Sequence, residues 1–143
     1  MTTAVDVDTA RVEVRHVRGE EYVVRMRDHE VHVDQPVAAG GLDRAPSPVE
    51  LFVGSMAACA AFYAGRYLDR HGFGRQGLSI VADYRMATTP PPRVAGVRIV
   101  VTPPAGLPPR RRQALLAVVE HCTVHNTLRR PLEIEVRLGD GSS

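Results

Sequence analysis

Cys59 and Cys122 are the two thiols of this chain, and they carry most of the chemistry its residues offer. Cys59 lies in the stretch SPVELFVGSMAACAAFYAGRYLDRHG, residues 47–72, with Met56, Phe62 and Tyr63 around it. Two readings are open for it. A cysteine among apolar residues packs as a small hydrophobe, since apolar burial disfavours the thiolate and leaves an inert thiol. A nucleophilic Cys59 needs roughly 3–4 kcal/mol of preferential thiolate stabilisation, a few pK units, which a nearby guanidinium can supply. Cys122 lies in EHCTVHNTL, at the junction between two short helical segments, where a thiol has room to move. A bridge between them would close a loop of about 63 residues, worth roughly 4 kcal/mol in the chain-entropy model. Such a bridge suits a transient, catalytic role in a reducing compartment better than a permanent one. His121, Cys122 and His125 also form H-C-x-x-H, which is short of a full tetrahedral metal site.

The element that must hold Cys59 is a long helix. Ser47 is a capping residue, Pro48 takes the first helical position, and Glu50 falls three after the cap, which is a capping box. Gly72 supplies the stop, with Arg70 and His71 in the last turn. About 24 residues of helix span roughly 36 Å. From Leu51 to Gly65 no residue is charged, so the helix is expected to be enclosed on all sides. A membrane span fits less well, because the uncharged run is about 15 residues where roughly 20 are needed.

Around this helix the periodicity predicts strands over 10–18, 20–27 and 29–35, an antiparallel meander with one wet face. Residues 36–46, PVAAGGLDRAP, form a Gly- and Pro-rich loop leading into the helix. Strands follow over 78–87 and 93–102, then a helix opened by Pro108 or Pro109, the short segment TVHNTLRR, and a last alternating strand, LEIEVRL, over 132–138. Residues 1–9 are expected to fray. The pattern βββ-α-ββ-αα-β defines a single α+β domain of antiparallel sheets around a long central helix. So few short elements cannot cover that helix, so an intertwined homodimer is expected.

Composition narrows the function. All 18 basic residues are arginine and the net charge is +2, with no aromatic stacking platform, so nucleic acid is not the expected partner. The N-terminus carries acidic residues where a signal peptide needs positive charge, which places the chain in the cytoplasm as an expectation. His29 and His32, three apart on a strand, fall on opposite faces and read as surface residues.

GGLDRAPSPVELFVGSMAACAAF followed by HCTVHNTL resembles the OsmC/Ohr family, the osmotically inducible and organic hydroperoxide resistance proteins. The resemblance runs from about residue 10 to 138. It implies the OsmC-like fold, an intertwined homodimer with sites at the subunit interface, and reduction of organic hydroperoxides, or of hydrogen peroxide, without metal or organic cofactor. It assigns Cys59 as the peroxidatic cysteine and Cys122 as the resolving one, with an external dithiol (a lipoylated or thioredoxin-like protein) reopening the disulfide. In the peroxidases a glutamate after the loop proline holds the catalytic arginine; here Val49 takes that place and Glu50 follows it. Glu50 therefore has two roles open, capping the helix or orienting the arginine. Arg44 is the first choice for that arginine and Arg18 the second. Thr123 stands where the family usually has proline.

Overall fold

The computed structural model describes residues 8–141, so the expectation of fraying over 1–9 falls almost wholly outside the described residues. The chain forms two compact units, Met1–Phe52 and Val53–Ser143.

The first unit is a meander of β1 (Glu13–Arg18), β2 (Glu21–Met26) and β3 (His29–Val33), antiparallel in the order β1-β2-β3. Alternation sets its faces. Glu21 and Val23 of β2 are buried while Tyr22 between them is exposed, and Val33 is buried on β3. The loop that follows is organised by Asp34, which is 1% exposed. Its carboxylate accepts from the amides of Gln35 at 2.7 Å and Arg44 at 3.1 Å, and its own amide donates to the Pro46 carbonyl at 3.1 Å. Gly41 fits against this knot because it has no Cβ; one built there would overlap the Gln35 carbonyl oxygen.

The long helix α1 (Pro48–Arg70) begins in the first unit and continues into the second. Its capping box is formed on both sides. The Ser47 amide donates to Glu50 Oε1 at 2.9 Å, and the Glu50 amide donates to Ser47 Oγ at 3.2 Å. At the other end Gly72 takes φ +77°, and the Phe73 amide reaches back to the Leu68 carbonyl at 2.9 Å.

The second unit adds the hairpin of β4 (Ser79–Met86) and β5 (Val94–Thr102), a 3-10 turn at Pro109–Arg111, α2 (Arg112–Glu120) and α3 (Thr123–Arg129). Its core joins Ala60, Ala64, Tyr67 and Leu68 of α1 to Leu107 and to Leu115 and Val119 of α2. The α1 members recur at the three- and four-residue spacing of one helical face. By length and mean hydropathy (1.3 over its most apolar window) α1 also meets the requirement for a membrane span. A packed stripe of this kind is what a core helix shows.

One expectation is corrected. No strand forms over 132–138: Leu132, Ile134, Val136 and Leu138 are 59, 78, 90 and 101% exposed. Alternation marks a segment suited to one buried face, but a strand also needs a hydrogen-bonding edge, and these residues have none here. Within one chain α1 is covered on one face only, as the shortage of covering elements led one to expect. Phe52 and Phe62 stay exposed, because a single chain covers only the face of Val53, Met56, Ala60, Ala64 and Leu68.

Candidate functional site

The thiols meet within the second unit. Cys59 is half-buried in the middle of α1, and Cys122 is buried at 2% exposure in the bend between α2 and α3. The two side chains are near enough for Cys59 to act on the Cys122 thiol, and both are free thiols. Burial pushes the Cys122 thiol above its ordinary value; the hydrogen bond and charge of Cys59 add to this, and the His125 and Val124 amides act against it. Cys122 thus stays protonated further into the alkaline range. That suits a thiol that gives up its proton only while condensing.

Local structure explains why Cys122 sits there. The bend gives it extended backbone (φ −68°, ψ 157°), and its sulfur caps α3 by accepting from the His125 amide at 3.4 Å. The following residue, Thr123, is tied to α1 through its hydroxyl, 2.8 Å from the Tyr63 hydroxyl. Tyr63 also lines a cavity of about 150 Å³ with Arg66, Tyr67, Arg70 and Val118, whereas Phe62 is exposed under the Arg66 guanidinium. In the H-C-x-x-H segment, His121 Nδ1 lies 2.7 Å from the Ala117 carbonyl. Among the described residues no group of three or more His, Cys, Asp or Glu side chains is placed to hold a metal ion.

The other residues singled out in the sequence lie in the first unit. Glu50 is engaged in the capping box. Arg44 gives its amide to Asp34, and its charge also helps to hold that carboxyl low. Arg18 has a different anchor. Its Nε lies 3.5 Å from Oε1 of Glu21, a carboxylate whose side chain is 7% exposed, and His32 Nδ1 lies 2.8 Å from the other oxygen. Sequence reasoning missed Glu21. The signal was available in the phase of β2, which puts Glu21 on the same face as Val23. It also missed Tyr63–Thr123, a pair 60 residues apart with no local signature.

The Ser47 amide, and then its hydroxyl, pull the Glu50 carboxyl below its ordinary 4.5 against desolvation. The Arg44 amide does the same for Asp34 against burial, helped by the amides of Gln35 and Leu42. A lowered folded pKa gives stability that is present above the ordinary value and lost as pH falls through the folded one. Thermal unfolding from pH 7 to 3 should therefore show a falling midpoint below about pH 4.5. The fall should be shallower in Glu50→Gln. An identical acid limb in that variant would show that the carboxylate contributes nothing.

An α+β protein whose long helix carries a thiol facing a second, helix-capping thiol is a two-cysteine thiol protein. Residues 40–137, more than half of the chain, match the family described as OsmC-like protein, and the chain belongs to that family. No curated protein matches the sequence. Among solved structures, an osmotic stress induced and detoxification response protein from Psychrobacter arcticus is 21% identical, with a TM-score of 0.76 over 87% of this chain and 91% of that one. The organic hydroperoxide resistance protein OsmC of Legionella pneumophila is 22% identical, with a TM-score of 0.67 over 87% and 92%. The organic hydroperoxide resistance protein OhrB of Bacillus subtilis is 21% identical, with a TM-score of 0.62 over 85% and 91%. These likenesses establish the OsmC/Ohr fold.

Proposed function

We propose that this protein is a cysteine-based peroxidase that reduces organic hydroperoxides, or hydrogen peroxide, as a homodimer. The observation that carries this reading is the contact between Cys59 and Cys122, two free thiols from distant parts of the chain. The Cys59 thiolate attacks one peroxide oxygen; the O–O bond breaks, the alcohol leaves with a proton, and Cys59 becomes a sulfenic acid. Cys122 then displaces water from that sulfur, giving the disulfide. An external dithiol, a lipoylated or thioredoxin-like protein, reduces it by thiol–disulfide exchange.

The thiolate needs a positive charge, and Arg44 and Arg18 are the candidates. Arg44, in the loop that leads into α1, is the first of them, and Arg18, whose Nε lies 3.5 Å from Glu21 Oε1, the second. Glu50, with its oxygen in the capping box, acts as a structural residue in this reading. A second reading, redox sensing or ligand binding with little turnover, is favoured by one feature, Val49 at the place of the family's glutamate.

Consumption of cumene hydroperoxide and hydrogen peroxide, with dithiothreitol and then a lipoylated protein as reductant, separates the two. A peroxidase turns over many equivalents per chain, and Arg44→Ala lowers the rate by one to two orders of magnitude, about 1.4–2.7 kcal/mol, with Arg18→Ala as the test of the second candidate. Consumption that stops at one equivalent with either reductant selects the sensing reading.

A further inference from the structure

We propose that Tyr63 and Thr123 form a latch that positions Cys122 for the resolving step, an inference that rests on the peroxidase reading above. Tyr63 follows Cys59 by four residues on α1, so the two side chains stand on one face, one turn (about 6 Å) apart. Thr123 follows Cys122 directly. Two consecutive residues of the bend therefore meet two consecutive turns of α1, sulfur beside sulfur and hydroxyl beside hydroxyl at 2.8 Å. Thr123 is also fixed to its own helix, since the Thr127 hydroxyl donates to its carbonyl at 2.9 Å. The latch thus holds the first turn of α3, and Cys122 with it, against α1.

The resolving chemistry makes such a tie useful. In Cys59–SOH + Cys122–SH → Cys59–S–S–Cys122 + H2O, the sulfur of Cys122 leaves its capping contact with the His125 amide, 3.4 Å away, to bond Cys59. The α3 terminus then loses its side-chain cap while the sulfur moves. The Tyr63–Thr123 bond uses no atom of the reaction, so it can keep the bend docked throughout. The competing fate is Cys59–SOH + ROOH → Cys59–SO2H + ROH, which is irreversible for most thiol proteins. Its share of the product is set by how long Cys122 takes to arrive. A docked Cys122 is pre-positioned, and an undocked one must first find Cys59.

The experiment treats wild type, Tyr63→Phe, Thr123→Val and Thr123→Ser with rising cumene hydroperoxide and measures the disulfide and the sulfinic acid by mass spectrometry. Tyr63→Phe keeps the ring and Thr123→Val keeps the shape, so each removes only the hydrogen bond. The peroxide concentration that diverts half of Cys59 to sulfinic acid should drop about three- to tenfold in both, the effect of one hydrogen bond. Thr123→Ser, which keeps the hydroxyl, should behave as wild type. Thermal midpoints read alongside identify a purely structural bond, which would shift the midpoint and leave the partition unchanged. Wild-type partition in both Tyr63→Phe and Thr123→Val overturns the latch and leaves the peroxidase standing. A wild type that forms no Cys59–Cys122 disulfide overturns the peroxidase reading and the latch together.

Discussion

Cys59→Ser should consume organic hydroperoxide at least about a thousandfold more slowly than wild type, a loss of about 4 kcal/mol of transition-state stabilisation. The size follows from what the first step needs. The attacking group must be an anion at working pH, and a serine hydroxyl has neither the acidity nor the nucleophilicity of a thiol. Cys122→Ser should fail differently. Its Cys59 is intact, so about one peroxide per chain is still reduced, and the protein then stops as sulfenic acid and passes to sulfinic acid as peroxide is raised. Thiols that attack the sulfenic sulfur directly and displace water should restore part of its turnover. Wild-type consumption by Cys59→Ser would sink the peroxidase. Unaltered multiple turnover in Cys122→Ser with the lipoylated protein would remove Cys122 from the mechanism.

The parts of this fold that were legible in the sequence are those whose causes are local. Ser47, Pro48 and Glu50 marked the start of α1 because a capping box is made among four residues, and Ser47 and Glu50 do bond reciprocally. Gly72 marked its end for the same reason, and the meander followed from alternation and short turns. Partners distant in the chain were not legible. Nothing beside Thr123 points to Tyr63, and nothing beside Asp34 says that it gathers the amides of Gln35 and Arg44. The meeting of Cys59 with Cys122 was legible only through the family resemblance, because two thiols far apart in sequence carry no local sign of contact. Glu21 lies between these cases. The alternation of EYVVRM fixes its face, but the histidine that bonds its carboxylate comes from β3, at a distant position. Residues 132–138 show the converse. Their pattern is stronger than that of β3, yet no strand forms, since alternation specifies a face and never names the edge that will pair with it.

That unpaired segment leads to the second large effect expected, on assembly. Leu132, Ile134, Val136 and Leu138 alternate in sequence with Glu133, Glu135 and Arg137 and stand in solvent in the single chain. The β4–β5 hairpin is a two-stranded sheet, marginal alone, with a free edge on each strand. Beside it lies an apolar groove of about 410 Å³, lined by Val101, Leu115 and Leu116 among others. Phe52 and Phe62 add exposed aromatic surface on α1. In the homodimer proposed above, a second copy would cover this edge and apolar area. Light scattering at micromolar concentration should give the mass of two chains. If residues 132–138 are buried between them, Ile134 and Val136 each contribute about 1.5–3 kcal/mol. Ile134→Lys with Val136→Lys should then raise the dissociation constant at least about a hundredfold and give a monomer at the same concentration. A wild-type chain of monomeric mass would overturn the homodimer. A double variant that stays dimeric would move the interface away from 132–138 and onto the exposed aromatics of α1.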